Sequence, residues 1–189
     1  MYEDDRHGNS DLYLLDKPTG QERQITNDPA YQGRATIWGD SIVWEDFRNS
    51  SEDLYAYDVR TDTEKPLVIH PARQRFPSLW GSLVVYEDDR HGDWEIYLTD
   101  LTTGQETRVT THPANQFRPR IWGDWILWVD GRNDPTYGEL WGYNRRTHTE
   151  QKLADGPIDP LVDYGMSTRL PPLAISGTQV AFERGTMWS

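Results

Sequence analysis

The chain contains no cysteine. Disulfide frameworks, cysteine–zinc sites and thiol catalysis are therefore excluded, while the compartment stays open. Lysine is nearly absent, with three residues against 16 arginines. Positive charge in general is short: the formal net charge is −12. A surface this acidic is unsuited to nucleic acid or to anionic lipid, both of which need a basic face. No apolar run approaches the ~20 residues of a membrane-spanning helix. The opening Met1-Tyr2-Glu3-Asp4-Asp5 is too acidic and polar for a signal peptide, so an exported parent carries its signal outside this sequence. There is no His-Glu-x-x-His, no Gly-x-Ser-x-Gly and no Walker loop.

What the chain does have is aromatic and repetitive. Apolar residues make up only 35%, so nine Trp and ten Tyr must supply much of the burial. Arginine forms fixed bidentate pairs with carboxylates, and an ordered Arg–Asp lattice is expected. Trp38-Gly39, Trp80-Gly81 and Trp122-Gly123 recur at a spacing of 42. Asp4, Asp46, Asp88 and Asp130 keep the same step, as do Arg6, Arg48, Arg90 and Arg132. So do Tyr2, Trp44, Tyr86 and Trp128, and Gln32, Gln74 and Gln116. Each unit reads as four short strands without helical periodicity: Arg118–Gly123, Ser82–Tyr86, Glu95–Asp100 and Glu106–Thr110 are examples, separated by polar or Gly turns. Short strands at a fixed period of this length form the blades of a β-propeller.

The run Pro77, Leu79-Trp80-Gly81, Val84 to Asp88, Arg90, Glu95-Ile96-Tyr97, Asp100, Thr103 and Glu106 resembles the TolB-like propeller repeat. It resembles still more the tryptophan-rich variant repeated in microbial cell-surface proteins. Ala35 replaces the proline in one copy, and Val129 replaces the glutamate in another. The resemblance implies strands A to D from the channel outward. The expected architecture is all-β, with about four blades per chain and termini mixing in one blade. Residues 1–30 form the first blade, completed by 170–189. Residues 31–72 and 73–114 form the next two. The last is 115–169, with a long insertion near 155–169. Exchange between two chains, giving a homodimer, and a piece of a longer propeller stand open beside closure within one chain.

Candidate residues fall into three sets. The Asp–Arg pairs Asp4/Arg6, Asp46/Arg48, Asp88/Arg90 and Asp130/Arg132 lie in the hairpin between strands B and C. An oxygen-rich calcium loop needs ligands at alternate positions, and the third position here is Arg, so the expected role is structural and no metal or cofactor is expected. Calcium stays as a second reading at the irregular loop from Asp130 to Glu139, which carries Asp134. The segments leading into strand A carry Gln32, Arg34, Gln74, Arg75, Gln116 and Arg118, a ring suited to an acidic or polyhydroxyl ligand at the channel mouth. Their alternative role is hydrogen bonding within the repeat. Asp163, Tyr164 and Arg169 belong to the insertion, where loops on rigid scaffolds carry function. Trp38, Trp80 and Trp122 are expected to pack between blades, with sugar stacking as the alternative.

Function is read as a non-enzymatic binding or scaffold module of an extracellular, cell-surface or periplasmic protein, with a protein or carbohydrate ligand. A propeller glycosidase or polysaccharide lyase, and a self-assembling structural unit, are the alternatives. Fold does not choose among them.

Overall fold

The computed structural model describes residues 1–133, 138–158, 174–176 and 179–181. Its described residues form β-strands and turns and contain no helix. The first sheet has three strands: β1 (Tyr2–Asp4), β2 (Asp11–Leu15) and β3 (Glu22–Gln24). Three antiparallel sheets of four strands follow. One contains β4 (Gln32–Trp38), β5 (Ser41–Asp46), β6 (Asp53–Asp58) and β7 (Thr63–Val68). The next contains β8 (Gln74–Trp80), β9 (Leu83–Asp88), β10 (Glu95–Asp100) and β11 (Glu106–Arg108). The third contains β12 (Gln116–Trp122), β13 (Trp125–Asp130), β14 (Gly138–Asn144) and β15 (Thr149–Ile158). A two-stranded sheet of β16 (Ala174–Ser176) and β17 (Gln179–Ala181) ends the described part. The strand β15 takes in Gly156 to Ile158, which the sequence reading assigns to the insertion. Ile158, 5% exposed, packs with Phe117, Leu127 and Leu140 and so holds the strand in the sheet.

Local chemistry fixes the hairpins. Gly39, Gly81 and Gly123 follow the repeated Trp at positive φ, which turns strand A tightly into strand B. At the next turn a strand-end side chain caps the backbone: Asp58 Oδ1 accepts the amides of Arg60 and Thr61, and Asn144 Oδ1 those of Arg146 and Thr147.

The core lies between sheets rather than inside one. Val43, Leu54 and Ala56 of the second blade pack on Leu79, Val84 and Tyr86 of the third. Val85 and Ile96 of the third pack on Ile121, Ile126 and Trp128 of the fourth. The middle strands are therefore apolar on both faces; Ile42, Val43 and Trp44 are all 0% exposed. The inner strands β4, β8 and β12 lie against one another in sequence order.

Each of these inner strands carries a β-bulge at its third residue. Pairing slips between Gly33 and Thr36, between Arg75 and Ser78, and between Phe117 and Arg120. At the slip Arg34, Phe76 and Arg118 adopt positive φ of 48°, 54° and 55°. A bulge leaves one amide unpaired in its own sheet. Here that amide is turned onto the preceding blade.

Candidate binding site at the channel mouth

The turned amides meet a carboxylate. Arg34 N donates to Glu3 Oε1, Phe76 N to Glu45 Oε1 and Arg118 N to Glu87 Oε1, each at 2.6 Å. Each glutamate sits on strand B, and the amide it accepts belongs to the next blade. The second oxygen of Glu45 takes Arg34 Nη1 at 2.9 Å, and that of Glu87 takes Arg75 Nε at 2.7 Å. Both carboxylates are 0% exposed. Burial pushes the Glu45 carboxyl up to about 7, with Arg34 opposing the shift.

Above these pairs three guanidinium groups from three successive blades converge on one ring. Arg118 lies 3.7 Å from the Phe76 centroid, Arg34 4.5 Å and Arg75 5.1 Å. Arg75 and Arg73 also stand over Trp94, at 3.6 and 4.7 Å. Arg118 is buried, and Arg120 lies two residues deeper along the same strand. Burial and the neighbouring Arg118 lower the pKa of Arg120. In the second and third blades a strand-B glutamate faces these cations; in the fourth that position is Val129. Positive charge is thus concentrated at the mouth of an otherwise acidic chain, on a hydrophobic ring that holds the guanidinium planes.

The three glutamines are placed differently from the arginines. Gln32, Gln74 and Gln116 are 0% exposed. Their Nε2 atoms donate to Ala30, Ala72 and Ala114 two residues back, and their Oε1 atoms are buried without a partner. They brace the entering loops from inside. Asp163, Tyr164 and Arg169 lie outside the described residues, as does Asp134. Phe76 was missed by the sequence reading because it does not recur at the repeat spacing.

Each hairpin arginine donates its amide to the aspartate two residues earlier, at 2.8 to 3.0 Å. Its guanidinium returns to the same carboxylate and reaches a glutamate on the outer strand: Glu22, Glu64, Glu106 or Glu150. Among the described residues no three His, Asp or Glu side chains are gathered as metal ligands.

Trp44 and Trp128 sit between blades, each 0% exposed. Trp38, Trp80 and Trp122 also touch across blades, and Trp80 packs in addition against the core of Val85, Ile121 and Trp128. They meet at the axis, at the end of strand A remote from the arginines, because the inner strands converge there. Ring centroids lie 3.9, 4.0 and 5.9 Å apart.

Solved structures share this architecture. The chain is similar to a structure described as putative TolB from Agrobacterium tumefaciens, with a TM-score of 0.66 and 21% identity over 82% of this chain and 60% of that one. The fold is a TolB-like β-propeller. TolB from Acinetobacter baumannii gives 0.65 and 21% over 84% and 41%. An oligogalacturonate lyase in complex with manganese gives 0.64 and 15% over 82% and 49%. The chain thus spans about half the length of the structures it resembles. No family model matches the sequence, and no curated protein matches it.

Proposed function

We propose that this TolB-like propeller is a binding module whose arginine mouth takes a carboxylate-bearing ligand, either an acidic peptide segment or a uronic sugar. The convergence of Arg34, Arg75 and Arg118 on Phe76 carries the reading. Guanidinium groups fixed in orientation by stacking suit bidentate carboxylate recognition, and three blades supply them without cost to any one hairpin. The likeness to an oligogalacturonate lyase supports the uronic-sugar class. An extracytoplasmic or cell-surface setting belongs to the same reading, as does kinship with the tryptophan-rich surface propellers.

An enzyme at the same mouth is the second reading. The raised Glu45 carboxyl beside Arg34 favours it, since a carboxyl near neutrality can move a proton. Binding is preferred because both Glu45 oxygens are engaged and the group is fully buried. Calorimetric titration with galacturonate hexamer and with an acidic hexapeptide tests this. Saturable binding of either, weakened at least about tenfold by Arg75→Ala, supports the module. New unsaturated ends or reducing ends appearing in the galacturonate sample would transfer the case to an enzyme. Absence of binding to both probes would refute the mouth reading.

A further inference from the structure

We infer that the opposite end of the propeller carries a second site, a stacking platform for a neutral pyranose sugar, formed by the axial tryptophans and the inter-blade groove beside them. The inference stands apart from the arginine mouth and rests on different residues.

Three observations carry it. The first is the state of the indoles. The inter-blade Trp44 and Trp128 are fully buried, and their Nε1 atoms donate to Asp46 and Asp130 at 3.0 and 2.9 Å. Trp38, by contrast, is 38% exposed, with Trp80 and Trp122 half-buried. Among the described residues, no acceptor bonds the Nε1 of any of the three. Indole N–H groups ordinarily find a partner when they are enclosed by protein, and these three have none among the described residues.

The second observation is the register of β16. β16 pairs with β17 so that Ser176 opposes Gln179, as Trp38 opposes Ser41. The register position that holds an indole in β4, β8 and β12 therefore holds a serine in β16. The planes of Trp38 and Trp122 stand at 88° to each other.

The third is the groove. A cavity of about 340 Å³ opens between the second and third blades at this same end. Ser41, the cross-strand partner of Trp38, lines it, as does Gly81, which follows Trp80. Its other polar walls are Asp58, Lys65, Ser82 and Thr102. A carboxylate, an ammonium group and three hydroxyls exchange hydrogen bonds with sugar hydroxyls, while indole faces stack on the C–H face of a pyranose ring. Volume and lining fit one to two sugar rings. The turns at this end carry both signs, Asp58 with Arg60 and Asp124 with Arg146, and so select neither an anionic nor a cationic sugar; the ligand is neutral.

The test is a fluorescence titration of the whole chain with cellohexaose, xylohexaose and mannohexaose. The expected result is a saturable change in indole emission with at least one of them, not displaced by saturating galacturonate hexamer. Trp38→Ala should weaken that binding at least about tenfold, and Thr102→Val about threefold. Should Trp38→Ala fail to fold by circular dichroism, Thr102→Val and Ser41→Val carry the test, since both lie at the groove surface. No saturable change up to about 10 mM of all three sugars would overturn the inference. So would sugar binding untouched by every one of these variants. Binding of a proline decamer in place of sugar, lost in Trp38→Ala, would overturn the ligand class and make the platform a peptide site.

Discussion

The sheet of β1–β3 and the sheet of β8–β11 carry the same residues in the same register, yet their interactions are not equivalent. Arg6 and Asp4 pair with 42% and 24% of their side chains exposed. Arg90 and Asp88 make the same pair with 17% and 0% exposed. Glu3 is exposed, whereas Glu87 is sealed. Ile37 is 40% exposed where its counterparts Leu79 and Ile121 are 6% and 3%. No inner strand pairs with the outer edge of β1 among the described residues. The motif thus supplies geometry, and the neighbouring inner strand supplies the low-dielectric surroundings that make the geometry count.

Substitutions can sharpen that contrast. Glu87→Ala is expected to cost the most, about 3–5 kcal/mol by denaturant unfolding, because Arg75 and the Arg118 amide lose their buried acceptor. Arg90→Ala follows at about 2–4 kcal/mol, since it strands the fully buried Asp88 carboxylate. A cost under about 1 kcal/mol for either would break the comparison.

Glu45→Gln has a pH signature. The folded protein holds the Glu45 proton up to about pH 7, above the ordinary carboxyl range. Its stabilising contribution is therefore complete below about pH 4.5 and is lost as pH rises to 7. Glutamine has no such proton. The variant should gain on the parent across that window, by on the order of 2–3 kcal/mol, with thermal melts at stepped pH as the readout. A constant difference between the two proteins from pH 4.5 to 8 would refute the assignment.

Arg6→Ala and Glu3→Ala, in the incomplete sheet, should each cost under about 1 kcal/mol, as exposed pairs do. Losses matching those of Arg90→Ala would show that burial is not the variable. The smallest expected effect is zero: millimolar calcium leaves the melting temperature of the parent unchanged, because an arginine fills the third loop position. A rise on adding calcium would return the hairpins to a metal reading.

Much of this was legible in the sequence. The Trp-Gly and Asp-x-Arg spacings mark the blades, because turns and ion pairs are made by particular side chains. The bulge was not legible, since its essential group is a backbone amide and Arg34, Phe76 and Arg118 share no side-chain chemistry. For the same reason Glu45 and Glu87 were visible as repeated acids but not as inter-blade acceptors. The axial meeting of Trp38, Trp80 and Trp122 was missed because periodicity gives a residue's register, not its distance from the axis. Phe76 could be found only in three dimensions, where three blades deliver their arginines to it.

The bonds from glutamate to bulged amide also have a direction. Every acceptor lies on the earlier blade and every donor on the later one, so two units fit together in one order only. Duplication of a single unit copies an acceptor for its successor and a donor for its predecessor, and the array can lengthen without any new interface being invented. The series of acceptors stops at the fourth unit. Val129 stands where the earlier units carry a glutamate and offers no carboxylate.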